Sequence, residues 1–342
     1  MAQLWPGEWY LLATVFHVKH VWTILHGGAL GDLALTLHLA RGLPGVEPES
    51  CLDLIARIPL DTLADAKPAI RFHSSETTGV AWLYGGDAAP PPALRALVRG
   101  RWVFSALDGP GSRVDRRLHG LEPRGVYSID PRPRRGCTTH IVTQWRRMLA
   151  ASGPACGQTA HETDGPAVCV SQQCIARGRA RLASVLHRAD PGAGAKFVLV
   201  HPGSGGVAKC WPLAGFVAVA EKLAAHGGDV VWLLGPAELE RWPVTTIADL
   251  RRRFAVLAPP TSGALLDVLA AGGLLIANDC GPAHLAALIG TPTVVLFGPT
   301  SPDIWRPLGP RVRILRGDPR RGASWGITPE AVARAAGDTS IM

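Results

Sequence analysis

Residues 274–305 read LLIANDCGPAHLAALIGTPTVVLFGPTSPDIW. Leu274 to Ala277 is a short apolar run suited to a buried parallel strand. Asn278-Asp279-Cys280-Gly281-Pro282 is turn chemistry, and Pro282 suits a first helical turn, where a missing N–H costs nothing. His284 to Ile289 then predicts an apolar helix, with Gly290 at the position of a C′ glycine. Thr291-Pro292 stops it, Thr293 to Phe297 is the next strand, and Gly298-Pro299-Thr300 opens another loop. A strand–loop–helix–strand unit of this kind belongs to an open α/β sheet, whose ligands bind beyond the carboxyl ends of the strands. A glycine-bearing helix start there offers free N–H groups and a positive dipole end to a phosphate. The unit reads as half of an anion-binding crevice.

Outward from it, three more strand ends carry small or polar residues. Val21 to Leu25 is a strand followed by His26-Gly27-Gly28-Ala29-Leu30-Gly31-Asp32 and a helix over Leu33 to Arg41. The glycines let the backbone approach a ligand, but the Gly-x-Gly-x-x-Gly dinucleotide spacing is absent. Lys196 to Val200 is a strand followed by His201-Pro202-Gly203-Ser204-Gly205-Gly206 and Lys209-Cys210-Trp211-Pro212, then an alanine-rich helix over Ala214 to His226. Amides and Ser204 can approach phosphate oxygens here, and Lys209 adds a positive charge. The order is not that of a nucleoside triphosphatase loop. Asp229 to Leu234 is a strand ending in Gly235-Pro236-Ala237-Glu238. Phe254 to Leu257 reads as a strand, Ser262 to Ala271 as a helix, and Thr328 caps a last helix.

These motifs, in this order, resemble glycosyltransferase family 9, the heptosyltransferases of lipopolysaccharide core assembly. The resemblance runs from about Val21 to Pro307 and is carried by residues 28–32, 201–212, 235–238 and 278–300. It implies the GT-B fold: two Rossmann-like parallel-sheet domains facing each other across a cleft. It assigns Asp32 as general base on the acceptor hydroxyl, in a motif that includes Gly28 and Gly31. It sets Lys209, Ser204, Gly205 and the helix start at Cys280 and Gly281 against the donor diphosphate, and Glu238 against the ribose, with Glu240 as rival. Asp279 and His284 match the family's donor-site pair, and Ser301, with Asp303 and Trp305, borders the sugar. Asp279 cannot attract a diphosphate itself; it orients the loop, caps the helix or meets a sugar hydroxyl. On local sequence alone Asp32 and Glu238 also read as first-turn acids that cap helices, His284 as a buried structural histidine, and Lys209 as a solvent-facing lysine. One departure from the family is His38, which stands where a proline is frequent, six residues after Asp32.

The implied reaction is metal-independent displacement with inversion. It needs no cofactor, and the sequence shows no carboxylate pair suited to a metal. The implied donor is ADP-heptose and the implied acceptor a phosphorylated glycolipid or glycan. Two alternatives are a transferase or epimerase using another nucleotide sugar, and a non-catalytic nucleotide-sugar binder.

Composition agrees with a globular enzyme. The chain has 342 residues, 47% hydrophobic and 18% charged, enough for two domains. A net charge of +8 favours acidic partners: nucleotide diphosphates, phosphorylated glycolipid or an anionic membrane surface. No nucleic-acid module is recognisable. The 7 cysteines include no Cys-x-x-Cys pair, which argues against a disulfide scaffold or zinc ribbon. With neither membrane span nor signal-peptide arrangement in the first 20 residues, we expect a cytoplasmic protein, either free or peripheral on the inner membrane's cytoplasmic face. The amino-terminal domain is expected over residues 1–190, with a packed leader (1–20) and a transition zone (152–190), and the carboxyl-terminal domain over 195–342. Asp190-Pro191-Gly192-Ala193-Gly194 is the linker. Within the first domain, Leu52–Ile55, Val80–Tyr84 and Arg101–Phe104 are expected strands, and Thr138–Ala151 and Ser171–Ala189 helices.

Overall fold

In the computed structural model, residues 22–86, 88–152, 165–187 and 197–341 are described. The expected leader and the 190–194 linker lie outside them. The first sheet comprises β1 (Trp22–His26), β2 (Cys51–Ala56), β3 (Ala69–Ser74), β4 (Trp102–Ala106) and β5 (Gly125–Ser128). All its pairings are parallel, in the order β3-β2-β1-β4-β5. Helices α1 (Leu30–Ala40), α2 (Pro92–Val98), α3 (Arg113–His119), α4 (Ile141–Ser152) and α5 (Gln172–Val185) follow in chain order.

The second sheet comprises β6 (Phe197–His201), β7 (Asp229–Leu233), β8 (Ala255–Leu257), β9 (Leu274–Asn278), β10 (Thr293–Phe297) and β11 (Val312–Arg316). It too is parallel throughout, in the order β11-β10-β9-β6-β7-β8. Its helices are α6 (Leu213–Ala225), α7 (Pro236–Arg241), α8 (Val244–Arg253), α9 (Ser262–Ala271), α10 (Gly281–Leu288), α11 (Pro302–Trp305) and α12 (Pro329–Ile341).

The central strands β9 and β10 are buried at every residue. They sit inside the sheet with helices on both faces, so they read as unbroken apolar runs. In each sheet the strand order reverses beside the first strand, between β1 and β4 and between β6 and β9. The loops after β1, β6 and β9 therefore leave at switch points, where a parallel sheet opens a crevice. The two sheets are joined by packed helices. α1 of the first lies against α10 of the second, and α5 against α9. One continuous apolar core includes Trp22, Ile24 and Leu54 on one side and Leu199, Leu275 and Leu285 on the other. Among the described residues no helix is long and apolar enough to cross a membrane.

Val80–Tyr84 is not a strand but a short 3₁₀ helix. Gly79 at φ +75° turns the chain into it, and Val80 and Leu83, three apart, share its buried face. α10 begins at Gly281, earlier than the apolar residues alone indicate, with Cys280 at the N-cap. α4 begins later than expected, at Ile141, because the His140 ring nitrogen accepts the amide of Val142 at 3.3 Å. α5 ends at Val185, short of the expected Ala189.

Candidate active site

The switch-point loops of the two sheets face one another, and the starts of α1 and α10 meet. A Cβ on Gly281 would stand 2.9 Å from the Cβ of Leu30, and one on Gly31 3.2 Å from the His284 ring. Glycine at both places is what permits this approach. Two cavities open on either side of the junction and share Leu30, Ser204, Gly205, Cys280, Gly281 and Pro282.

The first, about 330 Å³, has mainly apolar walls, among them Leu234, Pro259 and Pro260, with Ile58 contributed by the amino-terminal sheet. Its polar end is Glu238, only 4% exposed. Glu238 is in the first turn of α7, and its Oε2 accepts the Gly235 amide at 2.7 Å. Glu240 is exposed and lines neither cavity, so burial separates the rivals. His201 lines the same cavity. Its Nδ1 lies 2.9 Å from the Leu233 carbonyl, which can only accept, so that nitrogen carries the proton. Burial pushes the His201 imidazole down, against the upward pull of Glu238, and the ring stays neutral.

The second cavity, about 470 Å³, is lined by Asp32, Lys209, Asp279, His284 and Trp305. Asp32 and Lys209 come from opposite sheets and border one space. Asp279 organises the carboxyl-terminal wall. One oxygen accepts from Lys209 Nζ at 3.2 Å and from the Thr300 hydroxyl at 2.7 Å; the other lies 3.7 Å from His284 Nε2. Burial opposes ionisation of Asp279. The His284 ring, the Thr300 hydroxyl and the Lys209 charge outweigh it and hold the carboxyl below its ordinary range. Its side chain does not cap α10; its bonds to Lys209 and Thr300 tie neighbouring loops together.

The other sequence-derived candidates fall as follows. The Ser204 hydroxyl donates to the Asp279 carbonyl at 2.8 Å, so it ties two loops together while its residue lines both cavities. Gly205 borders open space. Cys280 is buried, and burial pushes its thiol far up, out of reach of thiolate chemistry. Gly28 lies under Asp32 without lining either cavity, and Ser301 lines neither. Asp303 pairs with Arg316 at 2.6 Å on the surface. Two further side chains brace the loops that form the site. The buried Asn278 side chain accepts the Trp211 amide at 2.9 Å and donates to the Pro202 carbonyl at 2.6 Å. Arg241 donates to the carbonyls of Ser204 and Gly205. Arg241 stands one turn from Glu238 on α7, a spacing that gives it a signal only in retrospect.

A family model described as glycosyltransferase family 9 (heptosyltransferase) matches residues 130–326, more than half the chain. The chain belongs to glycosyltransferase family 9. Lipopolysaccharide heptosyltransferase 3 of Escherichia coli is 37% identical over 122 residues, 34% of this chain and 35% of that protein. The Escherichia coli K12 protein of the same name is 30% identical over 203 residues, 56% of this chain and 52% of the relative. The matches thus span about half, or less, of the curated relatives' length. Solved structures share the fold. A glycosyl transferase family 9 structure from Veillonella parvula superposes with TM-score 0.69 at 18% identity, covering 95% of this chain and 99% of that one. Escherichia coli ADP-heptose lps heptosyltransferase II gives 0.64 at 20% identity, covering 94% and 98%. The architecture is therefore GT-B, as the family 9 motifs imply.

Proposed function

We propose that the protein is an inverting glycosyltransferase that moves heptose from ADP-heptose to a lipopolysaccharide core-type acceptor. One observation carries the reading: Asp32 from one sheet and Lys209, Asp279 and Gly281 from the other border a single cavity that adjoins the apolar lobe ending in Glu238. In this reading the nucleoside lies in the apolar lobe with its ribose hydroxyls on Glu238. The diphosphate sits at the start of α10, where free amides and the helix dipole face it. Asp32 takes the proton of an acceptor hydroxyl as that oxygen attacks the anomeric carbon from the opposite side. The bond from that carbon to the diphosphate breaks, and Lys209 and the amides receive the departing charge. Names of the curated relatives and of the solved heptosyltransferases support the choice of sugar and acceptor. The net charge of +8 suits a phosphorylated acceptor at the cytoplasmic face of an anionic membrane.

The test is Asp32→Asn, which keeps a side-chain acceptor for the Ala29 amide, now at 3.4 Å from the carboxylate. Loss of a general base costs roughly 10²–10⁴-fold. With purified enzyme, ADP-heptose and deep-truncated lipopolysaccharide, transfer falls by about that factor while ADP affinity by calorimetry stays. Near-normal transfer by Asp32→Asn removes the base assignment. Transfer from a UDP- or GDP-sugar instead removes the donor.

A further inference from the structure

His26 ends β1 at the switch point of the first sheet and is 2% exposed. Its Nε2 is buried and has no hydrogen-bond partner. Buried ring nitrogens are normally paired, so an orphan beside a cleft needs a reason. The geometry around Gly28 supplies one. A Cβ on Gly28 would lie 3.1 Å from His26 Cε1, 3.2 Å from His26 Nε2 and 3.1 Å from Asp32 Oδ2. The imidazole edge and the carboxylate therefore flank the same point above Gly28. Asp32 itself is loosely held, by a long 3.4 Å bond from the Ala29 amide.

We propose that His26 is a positioning residue for Asp32: its Nε2–H takes up the Asp32 carboxylate when the 27–29 loop tightens on bound substrate, leaving the second oxygen for the acceptor's proton. This rests on the base assignment made above for Asp32. The groups around the ring fit that use. Burial, then the Arg57 charge from the loop after β2, push the His26 imidazole down to about 4. The ring is thus uncharged at working pH and donates without forming the ion pair that would quench a base. From the loop after β4, the apolar Leu107 packs beside Gly27. Gly28 is then required because any side chain would wedge between donor and acceptor.

The experiment compares His26→Leu with His26→Gln, whose amide nitrogen reaches about as far as Nε2. Expected for His26→Leu is a 10- to 100-fold lower kcat with unchanged KM for the donor, and an acid limb of the kcat–pH profile moved upward. That limb moves because the carboxylate has lost a donor. His26→Gln retains most of kcat and the wild-type limb. Equal losses in both variants, or wild-type kcat in His26→Leu, overturn the proposal. Should His26→Leu not fold, the His26→Gln profile decides: a displaced acid limb overturns it, an unmoved one supports it. Asp32→Asn run alongside separates the two ideas. If it still transfers, the base assignment fails; if it does not while His26→Leu is normal, only the positioning role fails.

Discussion

Gly203 and Glu238 are packed tightly at the polar end of the apolar cavity. A Cβ on Gly203 would fall 1.7 Å from Glu238 Oε1 and 2.2 Å from its Cδ, an overlap no real contact tolerates. Glu238 cannot simply rotate aside, since its other oxygen is fixed on the Gly235 amide. Gly203→Ala should therefore swing the carboxylate off its position and break a charge-assisted hydrogen bond worth about 1.5–3 kcal/mol to a bound ribose. The expected result is a rise of roughly 10- to 100-fold in the donor KM and the ADP dissociation constant, with kcat changed far less. Titration calorimetry with ADP checks it, and Glu238→Gln should show the same pattern more mildly. At this scale the sequence went part of the way. The spacing from Gly235 to Glu238 announces a helix-start acid, but burial alone separates Glu238 from Glu240. Ser204 is the opposite case. Its pattern points at phosphate, yet its hydroxyl is taken by the Asp279 carbonyl, a partner 75 residues away that no local pattern can announce.

α1 shows how a helix can carry a cost inside a buried face. From Leu33 to Ala40 every residue is buried, and among them is His38, whose Nδ1 finds no partner. Burial first, then the charges of Arg146 and Arg41 and the nearby His140, push the His38 imidazole down from 6.5 to about 4. The folded value lies below the unfolded one, so between these limits the unfolded chain binds more protons. The stability is full above 6.5 and is lost as pH falls toward 4. By pH 5.5 the loss is about 1 kcal/mol for such a histidine, and His26 contributes in the same direction. Urea midpoints measured from pH 8 to 5.5 should fall, and His38→Leu should flatten the slope by its own share. A slope unchanged in His38→Leu would mean that the ring protonates freely in the fold. Elements such as β9 and β10 were legible because burial on all sides writes a nearly unbroken apolar run. β3 and β11 escaped notice for the converse reason. Both are edge strands, and both mix arginine with apolar residues, as in Arg71, Arg313 and Arg316.

A polar clamp between α5, α9 and the β2–β3 connection ties the two halves of the molecule together. Asp267 on α9 is 3% exposed. It accepts from Arg177 of α5 at 2.9 and 3.0 Å and from the Thr62 hydroxyl of the amino-terminal sheet's β2–β3 connection at 2.7 Å. Arg177 also donates to Thr62. Gly178 presses against the Asp267 carbonyl, where a Cβ would stand 1.9 Å away, so α5 and α9 interlock at this point. The sequence could not show this: its arginine, threonine and aspartate lie in three separate segments. Thr62 is four residues beyond Ile58, which lines the apolar cavity, so the clamp and that wall share one connection. Arg177→Met keeps the aliphatic stem but leaves a buried carboxylate without its cationic partner, held by the Thr62 hydroxyl and the Cys174 thiol. We expect it to lower unfolding free energy by about 1–3 kcal/mol and to raise the donor KM severalfold through the loosened Ile58 wall, with Asp32-dependent chemistry intact once donor saturates. Adding Asp267→Asn removes the stranded charge, so the double variant should regain part of the stability lost in Arg177→Met, a non-additivity that a double-mutant cycle in urea measures directly. Strict additivity would mean that the two side chains do not act as a unit. Recovered stability with a donor KM still raised would mean that the intact ion pair, and not merely the absence of a stranded charge, holds the wall in place.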